Sequence, residues 1–580
     1  MIKSISIPIT LVFFLSILMG CGSSGEKSEK ENKRKSNYAR GEMNIQRGME
    51  LFNQYCANCH DFSDEGIGPN LAGITSKVEK EWIVTFIHNP PAVIASGDER
   101  AVQLYEKYQQ YMPPFPMIDG QDLEDILAFI HRFSEGEKRN KNNRPGGLIN
   151  PIPEKMAHSN MTLVVEEQFI VPSSSEIPPH TRINKMEPIT GGRVMLHDLR
   201  GKMYEITNGK ELTEYIDLNK ELPDFKDNPG KGSGLGSWAF HPEFEKNGIF
   251  YTTHSEPAGT KPADYPLHDS LKVTLQFVLL EWKADDPGSK VFSGSYRELL
   301  RVDMLGAVHT FQEVTFNPLA RKGTPDYGLL YLGIGDAGAA LRGYSILCDN
   351  NSTVWGKVLR LDPVGKNGIN GQYGIPPDNP FVNTPDVLGE VWVSGFRNPH
   401  RISWDETGSG LMFITNIGEH SLEEVNIGKA GANYGWPFRE GTFLFDADAN
   451  PEFVYPLPED DEGYTYPAIQ YDHDEGSAVS GGFVYSGSKI PVLNGKYIFG
   501  DISRGMIYYT NVADIVEGAQ APIYRLDVTI DGKLSDLAEI SGHQRVDLRI
   551  GKDHEGELYL MTKGNGGVYK IVDCIEGKPI

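Results

Sequence analysis

The sequence predicts a multidomain chain: a small all-α domain, then a larger all-β domain built as a six-bladed β-propeller. Three observations carry that expectation. Helical apolar spacing is concentrated near the N-terminus. A stretch rich in charge, Asn, Gly and Pro, from Ser134 to about Asn160, ends it. Beyond that stretch one strand theme recurs six times.

In the first part, Asn44–Tyr55 has helical spacing that includes Met49, Leu51 and Phe52. Asp122–Phe133 places Leu123, Ile126, Leu127 and Ile130 at i, i+3, i+4 and i+7. Between them stands Cys56-Ala57-Asn58-Cys59-His60, the spacing of c-type haem attachment. Two thiols add across the haem vinyl groups, and the adjacent histidine is placed to give the proximal nitrogen to iron. With Gly68-Pro69-Asn70-Leu71 downstream, the region resembles class I cytochromes c, in which such a turn lies against the haem edge. Tyr111-Met112-Pro113-Pro114-Phe115-Pro116 looks like that family's methionine loop. The resemblance implies Met112 as the sixth iron ligand, with Met117 as the competitor. Thioether ligation raises the reduction potential, which suits an electron acceptor.

The six recurrences are Val194–Asp198, Ile249–Thr253, Leu330–Asp336, Leu411–Thr415, Tyr497–Asp501 and Leu558–Thr562. Each is an apolar or aromatic strand ending in small or polar residues. Such ends suit a propeller's crowded axis, where strands converge and ligands sit. A two-sheet sandwich is the alternative. Gly (63) and Pro (37) are plentiful enough to supply the turns of either.

The formal charge of −24 repels phosphate backbones and argues against a nucleic-acid partner. Lys3 and the apolar run Ile5–Met19 read as an export signal, shorter than the ~20 residues of a membrane-spanning helix. The run ends in Leu18-Met19-Gly20-Cys21, which resembles a bacterial lipoprotein box. Cys21 would carry the lipid; an uncleaved anchor is the alternative. The expected location is the cell envelope, on the periplasmic face of the outer membrane or on the cell surface. The expected divisions are 1–21 signal and lipobox, 22–42 tether, 43–134 cytochrome c domain, 135–160 linker and 161–574 propeller. Cys348 and Cys574 remain, paired or as separate thiols.

Ordered segments of the second domain resemble the quinoprotein glucose/sorbosone dehydrogenase family. They are Gly234–Pro242, Trp355–Pro363, Gly395–Pro399, Asn433–Pro437 and Gly481–Tyr485. The resemblance implies a six-bladed propeller that binds pyrroloquinoline quinone (PQQ) and a calcium ion at one end of its axis. His309 matches the catalytic base, and Arg397 and Asn398 match the pair that contacts the quinone. The carbonyls of Gly418 and Glu419 match the calcium-binding turn. The chain departs from the family at Gly232, at Ala340 or Leu341, at Ser503 and at Gln544–Val546. Most expected cationic partners of the three PQQ carboxylates are therefore missing, and Arg504, Arg545 and Arg549 are the candidate substitutes.

Together these readings lead to an expected membrane-anchored oxidoreductase. It would oxidise an aldose-type sugar hydroxyl at PQQ and pass electrons through haem c to an external acceptor such as another cytochrome. The alternative is a cytochrome c electron carrier fused to a propeller that binds a glycan or protein without quinone chemistry.

Overall fold

A computed structural model describes residues 38, 41–56, 60, 62, 68–108, 111–134, 146–176, 179–228, 232–447, 453–459, 461 and 463–577. The lipobox, most of the tether and Cys59 lie outside the described residues. Among the described residues no helix is long and apolar enough to cross a membrane.

Among the described residues six helices build the first domain: α1 (Glu42–Tyr55), α2 (Ile74–Lys77), α3 (Lys80–His88), α4 (Pro90–Ala95), α5 (Glu99–Tyr108) and α6 (Gly120–Ser134). The two helices read from the sequence are α1 and α6. Leu51 and Phe52 of α1 meet Leu123, Ile126, Leu127 and Ile130 of α6 in one buried core. The crossing is close because Gly48 has no side chain: a Cβ there would fall 1.9 Å from the Asp125 carbonyl oxygen. Asn89 caps α4 by accepting the Ala92 N–H, and Pro90 occupies the first turn, where no amide donor is needed.

The second domain is large, β-rich and propeller-like. Four sheets have four antiparallel strands each, taken in chain order from the innermost outwards. They begin with Ile183–Pro188, Leu235–Phe240, Phe311–Phe316 and Pro399–Trp404. A nine-stranded sheet contains two further runs. One starts at Phe483–Val484; the other starts at Leu548–Lys552 and passes through Gly567–Glu576. They are joined by Ala157–Ile170, which pairs antiparallel with Gly567–Glu576 and parallel with Tyr524–Ile530. That strand begins inside the expected linker. First strands of neighbouring sheets pack side by side: Leu235–Phe240 on Phe311–Phe316, and the latter on Pro399–Trp404. Ile183–Pro188 packs on Leu548–Lys552.

The six recurrent segments are the second strands, buried on both faces by their neighbours. A small three-stranded sheet, Arg439–Glu440, Phe443–Phe445 and Val454–Tyr455, lies within the chain connection between two strands of the Pro399–Trp404 sheet. Cys348, in a short helix, and Cys574, in strand Gly567–Glu576, are both buried free thiols, which resolves their open pairing.

In antiparallel sheets, first strands start where second strands end. His309 and Arg397 precede first strands, so they sit at one axial end with Asp336, which follows a second strand. The connection 258–274 also lies at that end. Its Lys272 Nζ donates to Tyr55 Oη of the helical domain at 3.2 Å. Its Thr274 Oγ1 donates to the Leu305 carbonyl at 2.7 Å. Leu148 pairs with Val454 as the chain leaves the helical domain.

Candidate active site

The haem-attachment segment continues from α1. Cys56 N–H donates to the Phe52 carbonyl at 2.7 Å, and His60 N–H donates to the Cys56 carbonyl at 3.0 Å. This brings the first cysteine of the motif beside its histidine. His60 Nδ1 lies 2.9 Å from the Pro69 carbonyl oxygen. A carbonyl only accepts, so Nδ1 carries the proton and Nε2 keeps its lone pair. Burial holds the imidazole below its ordinary pKa, against that hydrogen bond. A Cβ on Gly68 would fall 2.5 Å from His60 Cε1, so glycine is what lets the Gly-Pro turn close on the ring. Met112 and Cys56 both pack against the buried core of the helical domain. Met117 is 58% exposed, whereas Met112 is half-buried. A proton-directed imidazole, an adjacent thiol and a half-buried thioether fit haem c.

At the axial end of the second domain His309 Nδ1 meets Asp336 Oδ1 at 2.8 Å. Asp336 is buried and also accepts the Gly338 N–H at 2.7 Å. His309 adopts a left-handed backbone, φ +50°, uncommon for a residue with a side chain. A Cβ on Gly335 would fall 2.6 Å from that of His309, so the glycine admits the histidine. Burial, then the Arg397 guanidinium, push the imidazole below its ordinary pKa, with Asp336 opposing. Burial would raise Asp336, but its hydrogen bond and charge interaction with His309 leave it lowered. At neutral pH the result is a neutral imidazole protonated on Nδ1. Its side chain is 16% exposed and Nε2 is free to accept.

Arg397 stands beside this pair. Its Nη1 donates to the Gly418 carbonyl at 2.5 Å, its Nη2 pairs with the Glu419 carboxylate, and its guanidinium lies 6.0 Å from the Trp436 ring centroid. Asn416 Oδ1 accepts the N–H groups of both Arg397 and Asn398. The turn carrying Gly418 is held by Glu440, whose Oε1 accepts the N–H groups of Glu419, Ser421 and Leu422. Asp336 and Glu440 received no role from the sequence. Asp336 is visible there only as the end of a strand.

Arg397 Nε and Asn398 Oδ1 are buried without partners, which fits a polar occupant beside His309 such as a quinone cofactor. The expected calcium turn fits less well. Arg397 already holds the Gly418 carbonyl and the Glu419 carboxylate. Among the described residues no group of three or more His, Cys, Asp and Glu could hold a metal. Arg504 donates to the carbonyls of His473 and Asp474, and Arg545 pairs with Asp547 at 2.9 Å. Two of the three expected substitutes are thus engaged elsewhere, and Arg549 is the third.

The profile described as Glucose / Sorbosone dehydrogenase matches residues 181–570, and the Cytochrome c profile matches 45–134. The chain belongs to the glucose/sorbosone dehydrogenase family. This family member is 26% identical over 391 residues to the HIPL1 protein of Arabidopsis thaliana, covering 58% of this chain and 53% of that one. It is 28% identical over 213 residues to aldose sugar dehydrogenase YliI of Escherichia coli (strain K12), covering 37% and 49%. The chain spans about half the length of these relatives. The solved apo-form of the soluble aldose sugar dehydrogenase from Escherichia coli aligns over 72% of this chain and 100% of its own. That alignment has 18% identity and a TM-score of 0.50, a likeness of fold.

Proposed function

We propose that this family member is a sugar dehydrogenase whose six-bladed propeller, residues 161–574, oxidises an aldose-type hydroxyl, with PQQ as acceptor. Electrons then pass to haem c in residues 43–134, held by Cys56, Cys59, His60 and Met112. The four-strand run from Phe483–Val484 and the three-strand run that Ala157–Ile170 completes to four, added to four separate sheets, support the count of six.

The observation that carries the activity is the His309–Asp336 pair, a neutral imidazole whose side chain is 16% exposed and stands beside Arg397. PQQ, when bound, supplies a quinone able to take a hydride equivalent from carbon. His309 Nε2 accepts the hydroxyl proton, and Asp336 stabilises the imidazolium that forms. Arg397 and Asn398 orient the cofactor, and the Arg397 charge favours anionic oxygen near it. Fusion keeps donor and acceptor domains at high effective concentration, and a downstream cytochrome is the natural next acceptor. Leu18–Cys21 supports lipid anchoring in the cell envelope, which the mass of the mature N-terminus tests.

The deciding experiment adds PQQ, then an aldose, to the purified haem protein and follows haem absorbance. Reduction dependent on both is expected. If no aldose drives reduction, the enzyme reading is overturned in favour of a binding propeller beside an electron carrier.

A further inference from the structure

The axial end that holds His309 contains more positive charge than its own residues neutralise. Lys185 is satisfied by Glu313 at 2.5 Å and by two carbonyls. Arg401 donates to the carbonyls of Gln312, His400 and Asn184 and lies 3.7 Å from Glu313. Arg549 and Lys563 differ. Arg549 lies in strand Leu548–Lys552 and Lys563 is the first residue after the neighbouring strand Leu558–Thr562, where Leu548 pairs with Thr562, and each is only 7% exposed. Arg549 donates through Nε to Asn184 Oδ1 at 2.9 Å and through Nη1 to the Leu548 carbonyl at 2.7 Å. Neither Arg549 nor Lys563 has a carboxylate in ion-pair range among the described residues. The nearby acid, Asp547, is paired with Arg545.

A second, independent observation points into the same space. His400 is 2% exposed, and both its ring nitrogens lack hydrogen-bond partners. The titratable groups near it are Arg401, Arg549, Lys563 and His309. His197 Nε2, buried nearby among Arg401, Lys185 and Lys563, also lacks a partner. Burial and then Arg401 push Arg549 down to about 9, and burial and then Arg549 push Lys563 well below its ordinary range. Buried charge without a counter-ion and buried imidazole without a partner are both unfavourable; an entering anion relieves both.

We propose that Arg549 and Lys563, with His400 beside them, are the seat for a carboxylate of the ligand that enters the His309 pocket. The seat deepens the PQQ reading, on which the identity of its ligand rests. It supplies cations for carboxylates whose expected partners the sequence lacks. A planar guanidinium and an ammonium suit a carboxylate, with charge-assisted hydrogen bonds from both. Such a carboxylate could come from the quinone cofactor or from a free polycarboxylate.

The test measures binding of PQQ and, separately, of citrate to the full haem-bearing chain by calorimetric titration and by the rise in Tm. Wild type is expected to bind PQQ, and Lys563→Met to bind it at least about tenfold more weakly, the worth of one charge-assisted hydrogen bond. Lys563→Arg, which keeps the charge, is expected to retain binding, so lost affinity is separated from lost folding. Without ligand, Lys563→Met is expected to melt above wild type, because an unneutralised buried charge has gone. Unchanged PQQ affinity in Lys563→Met overturns the seat and leaves the PQQ reading standing. Citrate binding that Lys563→Met abolishes, with no PQQ binding by wild type, supports the seat and overturns the PQQ reading. If neither compound binds wild type, both fall.

Discussion

The chemistry rests on which nitrogen of His309 carries a proton. Asp336 accepts from Nδ1 and so leaves Nε2 basic. His309→Ala is expected to lower sugar-driven haem reduction by about 10² to 10⁴. Asp336→Asn is expected to do comparable harm, since an amide can donate to Nδ1 and move the proton to Nε2. In both variants chemical reduction and the haem spectrum should be unchanged. A second residue sets a pH limit on stability. Trp238 Nε1 donates to His197 Nδ1 at 3.0 Å, so that nitrogen must be unprotonated. Burial, then Arg401, Lys185 and Lys563, hold His197 well below 6.5 in the native state. As pH falls below 6.5 the unfolded chain takes up a proton that the native chain refuses. The contribution is whole above 6.5 and is lost as pH falls towards the native value, by about 1.4 kcal/mol per unit at most. The drop in Tm between pH 8 and pH 5.5 is therefore expected to be smaller in His197→Leu than in wild type. The sequence exposes His309 through resemblance to a family motif. It conceals Asp336, His400 and Lys563, because their meaning lies in neighbours on other strands that only the fold brings together.

Local elements decide whether those residues are presented correctly. The turn from Gly418 to Leu422 closes around one Glu440 oxygen and offers Arg397 a carbonyl. A Cβ on Gly418 would lie 1.7 Å from the Leu422 carbonyl oxygen, so alanine cannot enter without reshaping the turn. Gly418→Ala is expected to destabilise by on the order of 1–3 kcal/mol in chemical denaturation, with weaker PQQ binding as Arg397 loses its support. The strands were legible where burial makes sequence monotonous. Second strands such as Leu330–Ile334 are covered on both faces and read as apolar runs. Outer strands such as Glu211–Asp217 carry mixed polarity and are not distinctive. Ile469–Asp472 was hidden by the chain that intervenes before it, which forms a sheet of its own.

At the scale of the molecule, one strand completes the larger domain. Within Ala157–Ile170, Leu163 pairs with Cys574 on one side and with Val528 on the other. Val165 of that strand is 1% exposed. Val165→Asp would bury an unpaired charge at this junction. It is expected to destabilise the β domain by about 3 kcal/mol or more, seen as a lowered β-sheet melting transition by circular dichroism. The visible haem spectrum should persist, since the helical domain has a separate core. The same junction sets a timetable for a chain made from its N-terminus onward. Ala157–Ile170 emerges just after the helical domain, but its antiparallel partner emerges last. Until then it presents unpaired amides and the side chains of Leu163 and Val165, a template for pairing with another chain. Joining residues so far apart in sequence also makes closure slow. The helical domain is thus made before the step that makes the β domain whole, and the interval between them is when this protein is most open to misassembly.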